Sequence, residues 1–97
     1  MARRFYLVSY DVKDDRRRAR VAKVLLDYGD RVQYSVFCCQ LNAQERVCLR
    51  RALSEQLHRD DDQALILDAG PVEGQQPAPE VEYVGVPYRP SVRCQIV

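Results

Sequence analysis

The chain has 97 residues, of which 46% are hydrophobic and 30% are charged. Such a length and composition predict a single soluble domain with one small core, and they exclude an intrinsically disordered chain. No apolar run approaches the ~20 residues that span a bilayer, and the amino terminus carries no apolar signal segment, so we expect a cytoplasmic protein.

The net charge of +1 hides a difference between two parts of the chain. Residues 1–59 carry 13 Lys and Arg against 7 Asp and Glu, a charge of +6, whereas residues 60–97 carry 2 against 7, a charge of −5. The basic part indicates where an anionic partner would bind. Alternatively, the two parts neutralise each other within the fold or across a dimer.

The first predicted strand covers residues 5–11, FYLVSYD, and consists mainly of strand-forming residues. It ends on Asp11, and the sequence VKDD that follows predicts a turn into a helix. Catalytic and metal-binding carboxylates are common at this place, because the strand fixes the backbone while the loop leaves the side chain reachable. The alternative is that Asp11 only caps the next helix.

A helix is predicted over residues 14–28, with acidic residues at its start, Gly29 as its stop, and an apolar stripe of Val21, Val24, Leu25 and Tyr28. Its first two turns carry four arginines, Arg16, Arg17, Arg18 and Arg20. Each cation near a helix amino terminus costs ~0.3–1 kcal/mol of helix stability, because it opposes the helix dipole. Spacings of three or four residues to Asp14 and Asp15 recover only ~0.2–0.5 kcal/mol per pair. The pattern therefore indicates a phosphate-binding surface beside Asp11.

The rest of the basic part predicts a hairpin and a second helix. Residues 31–41, RVQYSVFCCQL, change the phase of their alternation near Tyr34, which indicates two short strands joined by a tight bend. A helix begins at Asn42, with Glu45 in a capping-box relation. We expect His58 on the surface at the end of this helix.

An acidic loop at residues 60–62 leads into a fourth predicted strand at residues 64–67. Three adjacent carboxylates can hold a metal ion, but without further spaced oxygen ligands we expect a solvated turn. The four cysteines, Cys38, Cys39, Cys48 and Cys94, form no C-x-x-C motif and are expected to be reduced thiols.

All five prolines lie in the segment of residues 70–97, which is interrupted by one predicted strand at residues 81–86. A strand on so loose a tether can pair with the sheet edge of a partner subunit. We therefore predict a core at residues 1–69 and a Pro- and Gly-rich segment at residues 70–97.

The order strand, helix, strand, strand, helix, strand predicts an α+β, ferredoxin-like βαββαβ fold with both helices on one face of an antiparallel sheet. The other face of the sheet then needs cover. A homodimer that stacks two sheets face to face would supply it.

Two segments, YLVSYDVKDDRRRARVAKVL and DYGDRVQYSVF, resemble the Cas2 family, the small CRISPR-associated core nucleases of spacer acquisition. The resemblance covers residues 6–41 closely and continues in pattern only beyond them. It implies a homodimer in which the two copies of Asp11 face each other and bind a divalent cation, usually Mg²⁺, for phosphodiester cleavage of RNA or DNA.

The resemblance also implies roles for further residues. Tyr10 lies beside Asp11 in the matching motif and is expected to join it in catalysis, while Phe37 is the hydrophobic residue of SVF. By position, Arg18, Arg20 and Arg31 correspond to family arginines implicated in the site or in substrate contact. The phosphate-binding surface at the helix start adds Arg16 and Arg17 to the expected nucleic-acid contacts. Many relatives have an acidic residue after SVF, where this chain has Cys38.

Three functions remain open from the sequence. The first is a metal-dependent nuclease with Mg²⁺ on paired Asp11, in which neither a histidine nor a lysine is placed as a general base. The second is a non-catalytic adaptor that bridges dimers of the CRISPR integrase and holds duplex DNA through arginine contacts to its backbone. The third is a regulatory or toxin-like module that shares only the fold.

Overall fold

The computed structural model of the protein describes residues 2–73 and 79–88. Its elements in chain order are β1 (Arg3–Asp11), α1 (Asp15–Leu26), β2 (Gly29–Gln33), β3 (Val36–Asn42), α2 (Ala43–Gln56) and β4 (Gln63–Pro71). The strands form one antiparallel sheet in the order β2-β3-β1-β4. The ferredoxin-like prediction is thereby confirmed, and β4 continues beyond the predicted core boundary at residue 69.

Both helices pack on one face of the sheet. Alternate residues of β1 point toward this face, because successive side chains of a strand point to opposite sides. Val8 and Tyr10 are buried on the helix side, together with Phe37 of β3. The helices contribute one buried stripe each, which consists of Val21, Ala22 and Leu25 in α1 and of Leu49 and Leu53 in α2. Of the stripe predicted for the first helix, Val24 and Tyr28 lie at the margin of this core.

The helix starts follow the sequence pattern. The side chain of Asp14 caps α1 by accepting a hydrogen bond of 2.9 Å from the backbone N–H of Arg17. Asn42 and Glu45 form the predicted capping box at the start of α2, with reciprocal bonds of 2.8 and 2.9 Å. These caps fix the loops that lead into both helices.

Gly29 has a different role from the one that the sequence predicts. The helix ends earlier, with Asp27 as its C-cap, and Gly29 is the first residue of β2, paired with Cys39 of β3. A Cβ atom on Gly29 would lie 2.7 Å from the Sγ atom and 2.8 Å from the Cα atom of Cys39, and it would also meet the carbonyl oxygen of Cys38. Only glycine therefore permits this approach of the two strands.

We expect Gly29→Ala to lower the free energy of unfolding by about 1–3 kcal/mol, because the neighbouring backbone has no room for the added methyl group. Urea denaturation followed by circular dichroism measures the change. As a control, Val36→Ile adds one methylene at a half-buried position of β3 and should change stability by less than ~0.5 kcal/mol. Equal stability of the two variants would contradict the steric role of Gly29.

The sheet face opposite the helices presents apolar side chains to the solvent. Leu65 and Leu67 of β4 are 54% and 56% exposed, and they pair in register with Ser9 and Leu7 of β1. Apolar patches of this kind commonly mark an interface.

Residues 81–86, the predicted strand after the core, form no strand within one chain. Residues 81–83 have no regular structure and residues 84–86 form a bend with Gly85 at a φ of 95°. The Tyr83 hydroxyl donates a hydrogen bond to the carbonyl oxygen of Val32 in β2. The pairing of this segment with a partner subunit stays a prediction. Cys94, which we expect to be a reduced thiol, lies outside the described residues.

Within residues 2–73 and 79–88, neither helix has the length and apolar character needed to cross a lipid bilayer.

Cys39 is buried, which raises the pKa of its thiol to about 11, whereas Cys48 is exposed. A thiol with so high a pKa is a poor nucleophile.

Candidate functional site

Asp11 lies at the carboxyl end of β1, where it pairs in register with Gln63 of β4. Its carboxylate is exposed and forms an ion pair with Lys13, whose Nζ atom lies 3.3 Å from Oδ2 and 3.5 Å from Oδ1. Exposed pairs of this kind contribute little to stability. The carboxylate is therefore reachable, and Lys13 is a neighbour of Asp11 that the sequence analysis does not single out.

The donor chemistry at Asp11 fits a divalent cation that other ligands complete. Among the described residues, no three His, Cys, Asp or Glu side chains come together to hold a metal ion. Mg²⁺ is usually bound in proteins by one or two carboxylates, with waters and substrate phosphate oxygens in its remaining positions. One chain supplies one such carboxylate, with the Lys13 ammonium beside it.

The loop between β1 and α1 is held from two sides. Arg18 donates to the carbonyl oxygen of Val12 through Nη2 and Nε, at 3.0 and 3.3 Å, and it pairs with Asp15 at 2.6 Å. The backbone N–H of Lys13 donates to Asp62 Oδ1 at 2.9 Å. Because both residues that follow Asp11 are fixed in this way, the carboxylate stands on a rigid support.

The Asp62 carboxylate accepts hydrogen bonds from Lys13, Arg17 and His58. Although it lies in the acidic loop, its side chain is fully buried, and it accepts hydrogen bonds from Arg17 Nε at 2.7 Å, from Arg17 Nη2 at 3.2 Å and from the backbone N–H of His58 at 2.9 Å. The expectation of a solvated turn therefore holds for Asp60 and Asp61, which are exposed, and is wrong for Asp62. The Arg17 guanidinium, which we expect from the sequence to contact nucleic acid, is instead hydrogen-bonded to this carboxylate.

We expect the stability of the protein to fall at acid pH partly through Asp62. The hydrogen bonds from the Arg17 guanidinium hold the pKa of this carboxyl well below its usual range. A lowered pKa contributes stability above the unfolded value of about 4, and this contribution is lost as the pH falls toward the native value. The urea midpoint of wild type should therefore drop more steeply between pH 6 and pH 3 than that of Asp62→Asn.

Exposed Asp61→Asn serves as the control for this measurement and should keep the wild-type pH dependence. Asp14, Glu45 and Asp68 also have lowered pKa values, so part of the acid sensitivity remains in both variants. Parallel pH curves for wild type and Asp62→Asn would contradict the role of Asp62.

Tyr10 lies on the opposite side of the sheet from Asp11, because neighbouring residues of a strand point to opposite faces. The ring is buried, and its hydroxyl donates to the carbonyl oxygen of Tyr34 and accepts from Arg31 Nη2, both at 3.2 Å. Its backbone N–H donates to the carbonyl oxygen of Ser35, also at 3.2 Å. The structure thus places Tyr10 in the support of the β2–β3 turn and not beside the Asp11 carboxylate.

Arg31 is held among aromatic rings. Its guanidinium carbon lies 5.0 Å from the ring centroid of Phe37 and 5.8 Å from that of Tyr34, within the range of cation–π attraction. Burial opposes its charge, but hydrogen bonds with Tyr10 and Tyr88 outweigh that effect, and its pKa is raised. Phe37, fully buried, forms the floor of this cluster.

Arg16 and Arg20 are the two predicted arginines that remain exposed on α1. Within residues 2–73 and 79–88, neither forms a salt bridge or a side-chain hydrogen bond. Of the five predicted arginines, these two are therefore available to an anionic partner.

His58 lies at the surface, with Nδ1 3.4 Å from Asp61.

Residues 4–72 match the family described as CRISPR associated protein Cas2. The chain is 43% identical over 93 residues to a CRISPR-associated endonuclease Cas2 of Thermus thermophilus, which covers 96% of this chain and 94% of that protein. It is 34% identical over 92 residues to the CRISPR-associated endoribonuclease Cas2 of Geobacter sulfurreducens, with 95% of each covered. The crystal structure of Streptococcus pyogenes Cas2 superposes with a TM-score of 0.68 at 31% identity, over 84% of this chain and 99% of that one.

Proposed function

This chain belongs to the Cas2 family of CRISPR-associated proteins, and on that basis we propose that it is a Mg²⁺-dependent endonuclease that cleaves RNA or DNA and acts with the CRISPR integrase in spacer acquisition. The observation that carries the proposal is the position of Asp11. Its carboxylate is exposed at a strand end, and the loop behind it is fixed by Arg18 and Asp62. A rigid, reachable carboxylate is what metal-assisted hydrolysis requires.

The proposed enzyme is a homodimer. The leucines of β4 are exposed on the sheet face that the helices do not cover. Asp11 lies on the same face at the end of β1, because it is separated from Leu7 and Ser9 by an even number of residues. Two copies that stack these faces around a two-fold axis would bury the apolar residues. The same contact would bring two Asp11 carboxylates to one site, which suits a divalent cation better than one carboxylate does.

Each side chain then has a separate task. A bound Mg²⁺ would supply a water of lowered pKa and would neutralise charge on the scissile phosphate. Asp11 would orient that centre, and Lys13, whose ammonium lies 3.3 Å from the carboxylate, would contact a phosphate oxygen. Arg18 keeps Val12 in place, while Arg16 and Arg20 would bind phosphates further along the strand.

Cleavage of single-stranded RNA and duplex DNA, with Mg²⁺ and with a chelator, tests the proposal when wild type is compared with Asp11→Asn. We expect activity that needs both the metal and the carboxylate. Cleavage that persists unchanged in Asp11→Asn would overturn the assignment, because the reaction would then not need the Asp11 carboxylate.

A second function is favoured by the exposed arginines of α1. As a non-catalytic adaptor, the dimer would bridge dimers of the integrase and hold duplex DNA on Arg16 and Arg20, without chemistry at Asp11. The segment after β4 would then serve to dock the sister subunit or the integrase. In this case Asp11→Asn would still support spacer acquisition, whereas the nuclease proposal expects acquisition to fail although the complex still assembles.

A further inference from the structure

A hollow of about 510 Å³ lies between α1 and the turn that joins β2 to β3. Small and apolar residues of α1, Ala19, Ala22 and Leu26, line it together with Tyr34 of the turn. Tyr10, which precedes Asp11 in β1, also lines it. The β2–β3 turn lies beside the carboxyl end of β1, the end that carries Asp11.

Tyr34 is unusual because an exposed aromatic ring stands on a firmly held turn. The residue is 64% exposed, and Leu26, which also lines the hollow, is 58% exposed. Tyr10 nevertheless fixes this turn twice, through its hydroxyl to the carbonyl oxygen of Tyr34 and through its backbone N–H to that of Ser35. A rigid, exposed ring loses little conformational freedom when a flat ligand stacks on it.

The charge around the hollow favours an anion. Among the described residues that line it, three are basic, Arg18, Lys23 and Arg31, and one is acidic, Asp15, which pairs with Arg18. Arg31 lies 5.8 Å from the Tyr34 ring centroid, and the Tyr34 side chain adds to the effect of Asp15 in raising the pKa of Arg18. An aromatic wall between cations suits a ligand with both a planar ring and a phosphate.

We propose that this hollow binds one unpaired nucleotide of a single strand or frayed end, with its base stacked on Tyr34 and its phosphate toward Lys23. A base in a duplex is already stacked and paired, so it does not enter without being extruded. The proposal rests on the proposed function only in taking nucleic acid as the partner. It names the feature of that partner, an unpaired base, that the site would recognise.

Fluorescence anisotropy with a short labelled oligouridine, an abasic oligomer of the same length and a blunt DNA duplex tests the proposal. Tyr34→Ala should weaken oligouridine binding about tenfold, which is typical for the loss of one base–aromatic stack, and should change duplex binding less than twofold. Tyr34→Phe retains the ring and should bind like wild type. The abasic oligomer should bind wild type about as weakly as oligouridine binds Tyr34→Ala.

Three outcomes would overturn this site: no change in Tyr34→Ala, an equal loss with oligouridine and duplex, or wild-type affinity for the abasic oligomer. The hydrogen bonds from Tyr10 that hold the turn end on backbone carbonyl oxygens and not on the Tyr34 side chain, so the alanine variant should fold, and circular dichroism verifies this. Asp11→Asn separates the two proposals, because it should abolish cleavage while the tenfold loss of oligouridine affinity caused by Tyr34→Ala persists in the Asp11→Asn background. If cleavage does not depend on Asp11 but the Tyr34 effect is present, the nucleotide site stands and the nuclease proposal fails.

Discussion

Replacing Asp11 by asparagine is expected to lower the rate of phosphodiester cleavage by roughly 100-fold or more. The amide keeps the size of the side chain but removes the negative charge that would hold a divalent cation. The backbone around residue 11 should not move, because Val12 and Lys13 are fixed by Arg18 and Asp62. Single-turnover cleavage at saturating protein and a series of Mg²⁺ concentrations measures the loss.

A mixed dimer gives the sharper form of this experiment. If both carboxylates serve one cation, a dimer with one Asp11→Asn chain should be nearly as inactive as the doubly substituted dimer. If each chain works alone, the mixed dimer should retain about half of the activity. Two affinity tags on coexpressed chains allow the mixed species to be isolated.

Two control variants separate the site from its surroundings. Asp27→Asn removes an exposed carboxylate at the far end of α1 and should leave cleavage unchanged. Lys13→Gln removes the cation beside Asp11 and should reduce cleavage less than Asp11→Asn does. A Lys13→Gln defect equal to that of Asp11→Asn would contradict the view that the carboxylate is the essential group.

The elements of the fold could be predicted because local rules agree with the final structure. The Asn42 and Glu45 capping box and the change of phase near Tyr34 are each encoded within a few residues, and both are found where expected. Asp15 and Arg18 form the ion pair that their spacing suggests. Asp11 ends β1, as the sequence pattern predicts.

The residues that sequence reasoning missed depend on contacts between distant parts of the chain. Asp62 meets Arg17 across 45 positions of sequence, so neither the burial of this carboxylate nor the commitment of this arginine is visible in a local pattern. Gly29 is required by the approach of β3, not by the end of the helix before it. Lys13 had one usable signal, its position two residues after Asp11 in a tight turn.

Duplex DNA binding by the protein is expected to depend steeply on salt through Arg16 and Arg20. In a homodimer these residues supply four exposed cations, and release of counterions by four phosphate contacts lowers the affinity by roughly 100-fold between 50 and 200 mM salt. The double variant Arg16→Gln and Arg20→Gln should therefore bind more weakly at low salt and show a much flatter dependence. Fluorescence anisotropy with one duplex at several salt concentrations gives both quantities.

The matched control lies on the other helix. Arg46→Gln with Arg50→Gln removes the same charge from α2, where Arg46 and Arg50 border the groove beside Asp68 of β4. Because total charge acts at long range but counterion release requires phosphate contact, only the α1 variant should flatten the salt dependence. Equal slopes for the two double variants would mean that the duplex is attracted by the whole basic part of the chain and not held on α1.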